Sequence, residues 1–190
     1  MINPIIDACL DLAKSNVIDP KRIDHIELTV NPLTTKLTNI VDPKDRGQAL
    51  VSLQHWAVVS LLQKSAGIAQ VTDAVVRDPM ISKLRHQVLA TSVDSVGREA
   101  ASVRVVLTDG THLETSITNC RGSTGRPMTD DDITEKTRGQ LRTAFDAKRV
   151  EQILEHSWDI VNLPLVAPYC KQLAAAGAPV RRRRRKNATR

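Results

Sequence analysis

Residues 102–118 read SVRVVLTDGTHLETSIT and carry the clearest folding signal of the chain. Apolar and polar residues alternate on both sides of Asp109-Gly110, which is the pattern of strands with one buried face. Asp-Gly between two such segments is typical of a tight turn, because these residues accept the positive φ angles of a type I′ turn. The stretch therefore predicts a β-hairpin of residues 102–108 and 112–118. Its polar face would carry Arg104, His112, Glu114, Ser116 and Thr118.

Two other segments extend this hairpin into a sheet. Residues 25–30 alternate, and residues 88–94 form a short strand directly before the hairpin, so that residues 88–118 form a β meander. We therefore predict an α+β fold with an antiparallel sheet of about four strands. Helices cover the apolar face of this sheet, and its other face meets water or a polar interface.

Apolar residues at helical spacing predict helices on both sides of the sheet. A first helix begins with Asn3 as its cap and Pro4 at its first position. A long helix extends from about residue 44 to residue 63, and its apolar stripe contains Leu50, Leu53, Ala57 and Leu61. Residues 31–41 are predicted to be a polar connection. Further helices are predicted at residues 73–77, 80–87, 130–145, 147–156 and 164–175.

The predicted long helix carries a polar notch on an otherwise apolar surface. Gln48, Ser52 and His55 fall on one face of it. One interpretation is a core histidine whose polar atoms are satisfied by Ser52 or by a backbone carbonyl. The other is a side chain that lines a substrate cleft, because histidine titrates near neutral pH. On helix geometry alone, the first interpretation is favoured.

The connection after the hairpin, residues 122–138, reads GSTGRPMTDDDITEKTR. Gly122 and Gly125 permit backbone conformations that are closed to other residues. Thr129 is a good helix cap, and the aspartates that follow it favour a helix start. Such a loop at a helix N-terminus is a common place for anions or partner surfaces to bind. An ordinary surface loop is the alternative, and it is favoured when the loop is considered alone.

The basic character of the chain lies in its last residues. The net charge is +6, but seven of the 27 Lys and Arg side chains lie between Arg181 and Arg190. We predict that residues 176–190 form a disordered basic tail. A solvated tail without a partner is the favoured interpretation, and a segment that binds nucleic acid or an anionic surface is the alternative. An aromatic content of 2% argues against a base-stacking surface elsewhere in the chain.

Deleting residues 181–190 distinguishes the two interpretations of the tail. If the tail is only solvated, the full chain and the deletion variant bind DNA and RNA equally weakly in titrations at low salt. Binding that weakens as salt rises, and that disappears on deletion, would favour the nucleic-acid interpretation, because neutralised phosphates release counterions. Unchanged circular dichroism of the deletion variant is the control for folding.

Cysteine usage and the apolar pattern limit the compartment. Cys9, Cys120 and Cys170 are odd in number and widely spaced, which argues against a disulfide framework and a zinc site. No run of about 18 apolar residues predicts a membrane span. The first residues are too acidic for a signal peptide. We therefore predict a cytoplasmic protein without a membrane partner, and a mitochondrial location would require a transit peptide on a longer form.

Segments in four places, in the order that the family has them, resemble the C-terminal part of the MmgE/PrpD family. This family includes 2-methylcitrate dehydratase, cis-aconitate decarboxylase and iminodisuccinate epimerase. NPIIDACLDL is similar to its His-Pro-x-Ile-Asp-Ala helix start, with Asn3 where histidine is usual. ALVSLQHWAVVSLLQKSAG and VVLTDGTHLE are similar to its long helix and its strand–Asp-Gly–strand element. GSTGRPMTDDDITEKTR is similar to its Gly-x-Pro-x-x-Pro-Met-Thr loop and following helix, with Thr137 where phenylalanine is usual.

The resemblance implies a domain organisation. Members of the family combine a large all-helical domain with a smaller α+β lid. Residues 1–145 would be the lid, residues 146–175 would be C-terminal helices that join the helical domain, and residues 176–190 would be the basic tail. The N-terminal helical half of typical members would then lie outside this sequence.

The resemblance also implies a chemistry and a set of site residues. The expected activity is that of a lyase, a dehydratase or decarboxylase of citrate-like tricarboxylates, without a metal or organic cofactor. In the family the substrate lies between the two domains, and most catalytic residues come from the helical half. In this chain His55 would be catalytic, as a proton donor or carboxylate contact, and the substrate-binding residues would be Ser52, Ser123, Arg126 and Thr129.

No general base with an orienting partner is identifiable in the sequence, so we expect no turnover from this chain alone. A tri- or dicarboxylate would be its substrate only when a helical-domain partner complements it, and a homodimer is the other expected association. The chain would be a truncated gene product, a split subunit or a pseudoenzyme. The competing class is a non-catalytic subunit that acts through its Arg-rich tail.

Overall fold

The computed structural model describes residues 1–174, which form two compact units, Met1–Thr129 and a second unit that begins at Asp130. The predicted basic tail, residues 176–190, lies outside the described residues. The predicted family boundary at residue 145 stays a prediction, since the division into compact units falls elsewhere, after Thr129.

The first unit contains a four-stranded sheet, which confirms the α+β prediction. Its strands are β1 (Ile23–Val30), β2 (Val88–Ser92), β3 (Ala101–Leu107) and β4 (His112–Ile117). Their order is β2-β1-β3-β4; β1 pairs with β3 and β3 with β4 antiparallel, whereas β1 and β2 are parallel. The predicted hairpin is therefore confirmed as β3–β4, and Gly110 in its turn has a φ of +81°.

The predicted meander is wrong in one connection. β2 does not pair with β3, which follows it, but with β1, and its register places Leu28 opposite Ala90. The physical reason is burial, because inserting β1 between β2 and β3 places its alternating apolar residues at the centre of the sheet. Ile26, Leu28 and Val30 are accordingly almost fully buried on the helix-covered face.

Six α-helices accompany the sheet in Met1–Thr129. They are α1 (Asn3–Ser15), α2 (Pro32–Thr38), α3 (Arg46–Leu50), α4 (Leu53–Gln63), α5 (Asp73–Val76) and α6 (Pro79–His86). Helix α1 packs against α4 and against strands β3 and β4, and α4 also packs against α6. The core of the unit lies between these helices and one face of the sheet.

Two local predictions are wrong at helix starts. Residues 31–41 are not only a polar connection, because Asn31 caps α2 by accepting a hydrogen bond from the Leu33 amide at 3.0 Å. Pro32 then occupies the first helical turn, where its missing N–H costs nothing. Asn3 does not cap α1; the cap position is Ile2, whose carbonyl accepts from the Ile5 and Ile6 amides.

The predicted long helix is also wrong, because it is two helices. The chain leaves the helical conformation at Val51 and Ser52, between α3 and α4. Ser52 caps α4 by accepting a hydrogen bond from the His55 amide at 3.0 Å. Leu50 is consequently 47% exposed, although Leu53, Ala57 and Leu61 are buried. The apolar stripe therefore begins only at Leu53.

Residues 130–174 of the second unit contain three further helices, α7 (Asp130–Leu141), α8 (Ala147–Trp158) and α9 (Val166–Leu173), close to the predicted positions. Arg138 on α7 forms an ion pair with Glu151 on α8 at 2.8 Å. Arg149 on α8 donates to the backbone carbonyl of Gln172 at 3.0 Å, which joins α8 to the end of α9. Among the helices of the described residues, none is long and apolar enough to cross a membrane.

Candidate functional site

His55 lies in the first turn of α4 and is completely buried. Its Nε2 atom is 2.8 Å from the carbonyl oxygen of Gln70, and its Nδ1 atom is 3.4 Å from Nη1 of Arg85. A carbonyl can only accept and a guanidinium can only donate, so Nε2 carries the proton and Nδ1 accepts. Both ring nitrogens of a neutral His55 are therefore occupied by protein groups.

The surroundings of His55 favour this neutral form. Burial lowers the pKa of His55, the hydrogen bond to the Gln70 carbonyl raises it, and the positive charge of Arg85 lowers it further. A buried imidazolium beside a buried guanidinium would be penalised by both desolvation and charge repulsion.

Arg85, on α6, is a buried cation, with only 3% of its surface exposed. Its Nη1 atom donates to the carbonyl of Val76 at 3.0 Å, and its Nε atom has no hydrogen-bond partner among the described residues. Burial lowers the pKa of Arg85. Sequence reasoning missed this residue, because a single arginine in a short amphipathic helix gives no sign that it points inward.

Ser52 belongs to the same buried group as His55 but acts on the backbone. Its hydroxyl donates to the carbonyl of Ile40 at 2.6 Å and accepts from the amide of His55. Its Oγ atom therefore links the chain before α3 to the start of α4. The predicted polar notch of Gln48, Ser52 and His55 is not one helix face, since the helix break separates Gln48 from His55.

The other predicted site residues lie in the loop after β4, between Cys120 and Thr129. Gly122 has a φ of +85°, which confirms that this position needs glycine. Its amide donates to the carbonyl of Arg126 at 2.8 Å, and the amide of Arg126 donates to the carbonyl of Ser123 at 3.1 Å. Residues 122–126 are therefore a closed turn with a fixed backbone rather than an open connection.

Ser123 and Arg126 offer polar groups in this turn. Ser123 is only 8% exposed, and its hydroxyl has no hydrogen-bond partner in the described part of the chain. The Arg126 side chain is 43% exposed, and its Nη1 atom lies 3.6 Å from Oδ2 of Asp7. The exposed part of the Arg126 guanidinium can receive a carboxylate, whereas the Ser123 hydroxyl is buried beneath the surface of the turn.

Asp7, on α1, ties the loop to the rest of the unit. Its Oδ2 atom accepts a hydrogen bond from the amide of Arg121 at 2.6 Å, besides its contact with Arg126. The segments NPIIDACLDL and GSTGRPMTDDDITEKTR therefore meet at one carboxylate. Sequence reasoning missed Asp7 because it considered only the apolar stripe of α1, although the family-like segment contains this aspartate.

The structure thus gives two groups rather than one predicted cluster. The first contains the buried Ser52 and His55; the second contains the half-exposed Arg126 and the buried Ser123. Their hydrogen bonds and ion pairs involve different partners, Gln70 and Arg85 for His55 and Asp7 for Arg126. The cap role predicted for Thr129 stays a prediction.

The open face of the sheet carries a polar groove of about 280 Å³. Arg104 lies in it between two carboxylates, 2.9 Å from Glu114 and 3.6 Å from Glu27. Hydrogen bonding to Asp24 raises the pKa of His25, next to Glu27. The basic and acidic groups of this groove are paired with one another, which is typical of a solvated sheet face.

Metal ligands do not converge anywhere in residues 1–174, where no group of three or more His, Cys, Asp or Glu side chains could hold an ion. Cys9 is fully buried, and burial raises the pKa of its thiol, so it is not a reactive thiolate. The expected independence from metals and organic cofactors stays a prediction.

An α+β unit with a rigid, cation-bearing loop next to the start of its first helix is the architecture that the structure defines. The family model described as MmgE/PrpD C-terminal domain matches residues 1–160, from before α1 to just after α8. The chain therefore belongs to the MmgE/PrpD family, as the resemblance indicated. No curated protein matches it significantly.

Proposed function

We propose that this chain supplies one wall of the substrate cleft of an MmgE/PrpD-type lyase that acts on citrate-like tricarboxylates. The observation that carries the proposal is the closed turn of residues 122–126, with the accessible Arg126 guanidinium above the buried, unpartnered Ser123 hydroxyl. These groups occur in a segment that lies within the matched family domain. The substrate class comes from the family resemblance, and the contact residues come from the geometry.

The chemistry explains why such a wall is useful. Loss of water or carbon dioxide from a tricarboxylate needs a base, a proton donor, and cationic or N–H groups that hold the carboxylates. Arg126 can hold a carboxylate through parallel N–H bonds, and the buried Ser123 hydroxyl adds a further hydrogen bond only if the turn opens. We propose that the chain contributes this carboxylate binding.

His55 and Ser52 have a narrower role in this proposal. Both are completely buried, and a substrate could reach His55 only if the Gln70 carbonyl were displaced from Nε2. The predicted proton-donor role of His55 therefore requires a local rearrangement. We assign the first contact with a carboxylate to Arg126 instead, because its side chain is half-exposed.

We further propose that the 190 residues by themselves do not turn substrate over. His86 does pair with Asp42 at 3.0 Å, which is the geometry of an oriented base, but its side chain is 55% exposed on the surface. Neither residue contacts Ser123 or Arg126 through a hydrogen bond or ion pair in the described chain. A base that faces the turn would come from a helical domain, on the same polypeptide or on another.

Exposed apolar side chains of the second unit support a partner of this kind. The residues that follow α8 and begin α9 include Val161, Leu165 and Val166, which are 86%, 70% and 48% exposed. Several large apolar side chains exposed within a few residues of one another in sequence favour an interaction site. A helical-domain partner is the proposed occupant, a homodimer is the other proposed association, and the cytoplasmic location stays a prediction.

Activity and binding measured on the same preparation test the proposal. We expect no turnover of 2-methylcitrate or cis-aconitate, and weak binding of citrate by calorimetry or NMR. The Arg126→Ala variant should bind citrate about tenfold less tightly, the effect expected for one charge-assisted contact. Arg104→Ala is the matched control, since Arg104 is another exposed arginine whose carboxylate partners lie elsewhere.

Three outcomes would contradict parts of this proposal. Clear turnover by the purified chain would contradict its inactivity. Citrate binding that Arg126→Ala and Arg104→Ala weaken equally would show a general charge effect rather than a site. The absence of any citrate binding would contradict the carboxylate-binding wall itself.

A further inference from the structure

We propose that Asp7 is a positioning residue, which fixes the Arg126 guanidinium so that one edge of it can receive a substrate carboxylate. The inference rests on the proposed function of the Arg126 turn and adds a residue on a different element. Asp7 lies on α1, in the segment NPIIDACLDL.

One carboxylate oxygen of Asp7 contacts two groups of the loop. Oδ2 of Asp7 accepts the Arg121 amide at 2.6 Å and lies 3.6 Å from Nη1 of Arg126. The Asp7 side chain is only 14% exposed, so both partners share a partly desolvated charge. Such a charge interacts more strongly than one in open water, because less solvent screens it.

Asp7 contacts only part of the Arg126 guanidinium. Asp7 approaches Nη1, and the side chain is 43% exposed. Nε and Nη2 form the other edge of the planar guanidinium, and this edge matches the two oxygens of a carboxylate. Asp7 therefore restricts the rotation of the side chain without occupying its bidentate edge.

Helix α1, which carries Asp7, is held rigidly by the core. Asp7 projects from α1, whose neighbouring residues Ala8 and Cys9 are fully buried. Helix α1 packs against α4 and against strands β3 and β4, so its position is determined by the core. A carboxylate on such a helix keeps the loop in a fixed position relative to the core. A preorganised binding group requires such a fixed position.

Two alternative roles for Asp7 make different predictions. If Asp7 only anchors the backbone at Arg121, then a neutral side chain that still accepts this hydrogen bond leaves citrate binding unchanged. If Asp7 competes with the ligand for Arg126, removing its charge tightens binding. If Asp7 positions Arg126, removing the charge of Asp7 weakens citrate binding, even though this removes a negative charge that repels citrate.

The experiment uses the full chain and the variants Asp7→Asn and Asp7→Ala, with citrate as the probe. Asp7→Asn should keep the Arg121 amide protected from hydrogen exchange and yet weaken citrate binding about tenfold. Asp7→Ala should weaken binding and also accelerate exchange at Arg121. Asp11→Asn is the matched control. Asp11 lies one turn after Asp7 on α1, and its substitution removes the same charge.

A second readout does not depend on citrate. NMR relaxation of the Arg126 Nε–H group should show a restricted side chain in the wild-type protein and in Asp11→Asn, and a mobile one in Asp7→Asn. Restricted motion in Asp7→Asn, or citrate binding equal to or tighter than that of the wild type, would overturn the positioning role. Failure of the wild-type protein to bind citrate would overturn the proposed function, whereas the Nε–H measurement would still decide whether Asp7 holds Arg126.

Discussion

The free energy of unfolding is expected to fall as pH decreases below about 6.5, and the His55→Gln variant should lose part of this dependence. Burial lowers the pKa of His55 in the folded chain, whereas the unfolded chain binds the proton at the ordinary pKa. Below that value the unfolded state takes up a proton that the native state refuses. The contribution of His55 is therefore a loss of about 1.4 kcal/mol per pH unit, until the lowered native pKa is reached.

The His55→Gln variant is chosen to keep the local hydrogen bonds. The glutamine amide can donate toward the Gln70 carbonyl and its oxygen can accept from Arg85, so that no buried partner is left alone. Other groups also titrate in this range, including His25, whose raised pKa acts in the opposite direction. They are common to both proteins, and the difference between the two pH profiles isolates His55.

Urea unfolding of both proteins at several pH values between about 5 and 7.5 measures this difference. The two curves should be parallel above about pH 7 and converge toward low pH, because only the wild-type protein carries the penalty. Parallel curves over the whole range would show that His55 is protonated equally easily in the folded chain, in contradiction with its burial against Arg85.

The second large effect is expected at Leu53. Leu53→Ala should lower the free energy of unfolding by about 2–5 kcal/mol, the cost of removing a fully buried leucine from a packed core. Leu50→Ala, three residues earlier, should cost less than about 1 kcal/mol, because Leu50 is 47% exposed. The same chemical change is thus predicted to have very different effects on the two sides of the helix break.

Chemical denaturation of the two variants at neutral pH tests both this break and the position of α4. Similar costs at Leu50 and Leu53 would be the result expected of one continuous helix with both leucines in its buried stripe. Such a result would contradict the cap that Ser52 provides at the start of α4.

The hairpin and the sheet face could be predicted from sequence because their signals are local. The Asp109-Gly110 turn favours one backbone conformation, and alternation assigns each side chain of β3 and β4 to a face. The glycine at position 122 was also predictable, since its positive φ excludes most other residues. The family resemblance rested on the same short segments and was confirmed over residues 1–160.

The helix break and the strand order were not predictable in this way. Apolar residues at nearly helical spacing continue on both sides of Ser52, so the periodicity gives no sign that Ser52 caps a new helix. The parallel pairing of β2 with β1 joins strands that are separated by about 60 residues, and loop entropy changes little over such distances. Which strands pair is decided by burial of the apolar residues of β1 at the centre of the sheet, and not by a local signal.

The sequence by itself determined the secondary structure around the Asp109-Gly110 turn and, through its family-like segments, the family. Tertiary structure alone decided which polar residues meet. Asp7 reaches Arg121 across 114 residues of sequence, and Arg85 reaches His55 across 30. These contacts depend on how α1 packs on the sheet and how α4 packs against α1 and α6, because the core fixes the backbone from which each charged side chain projects. The same packing buries His55 on α4 and leaves the Arg126 side chain accessible.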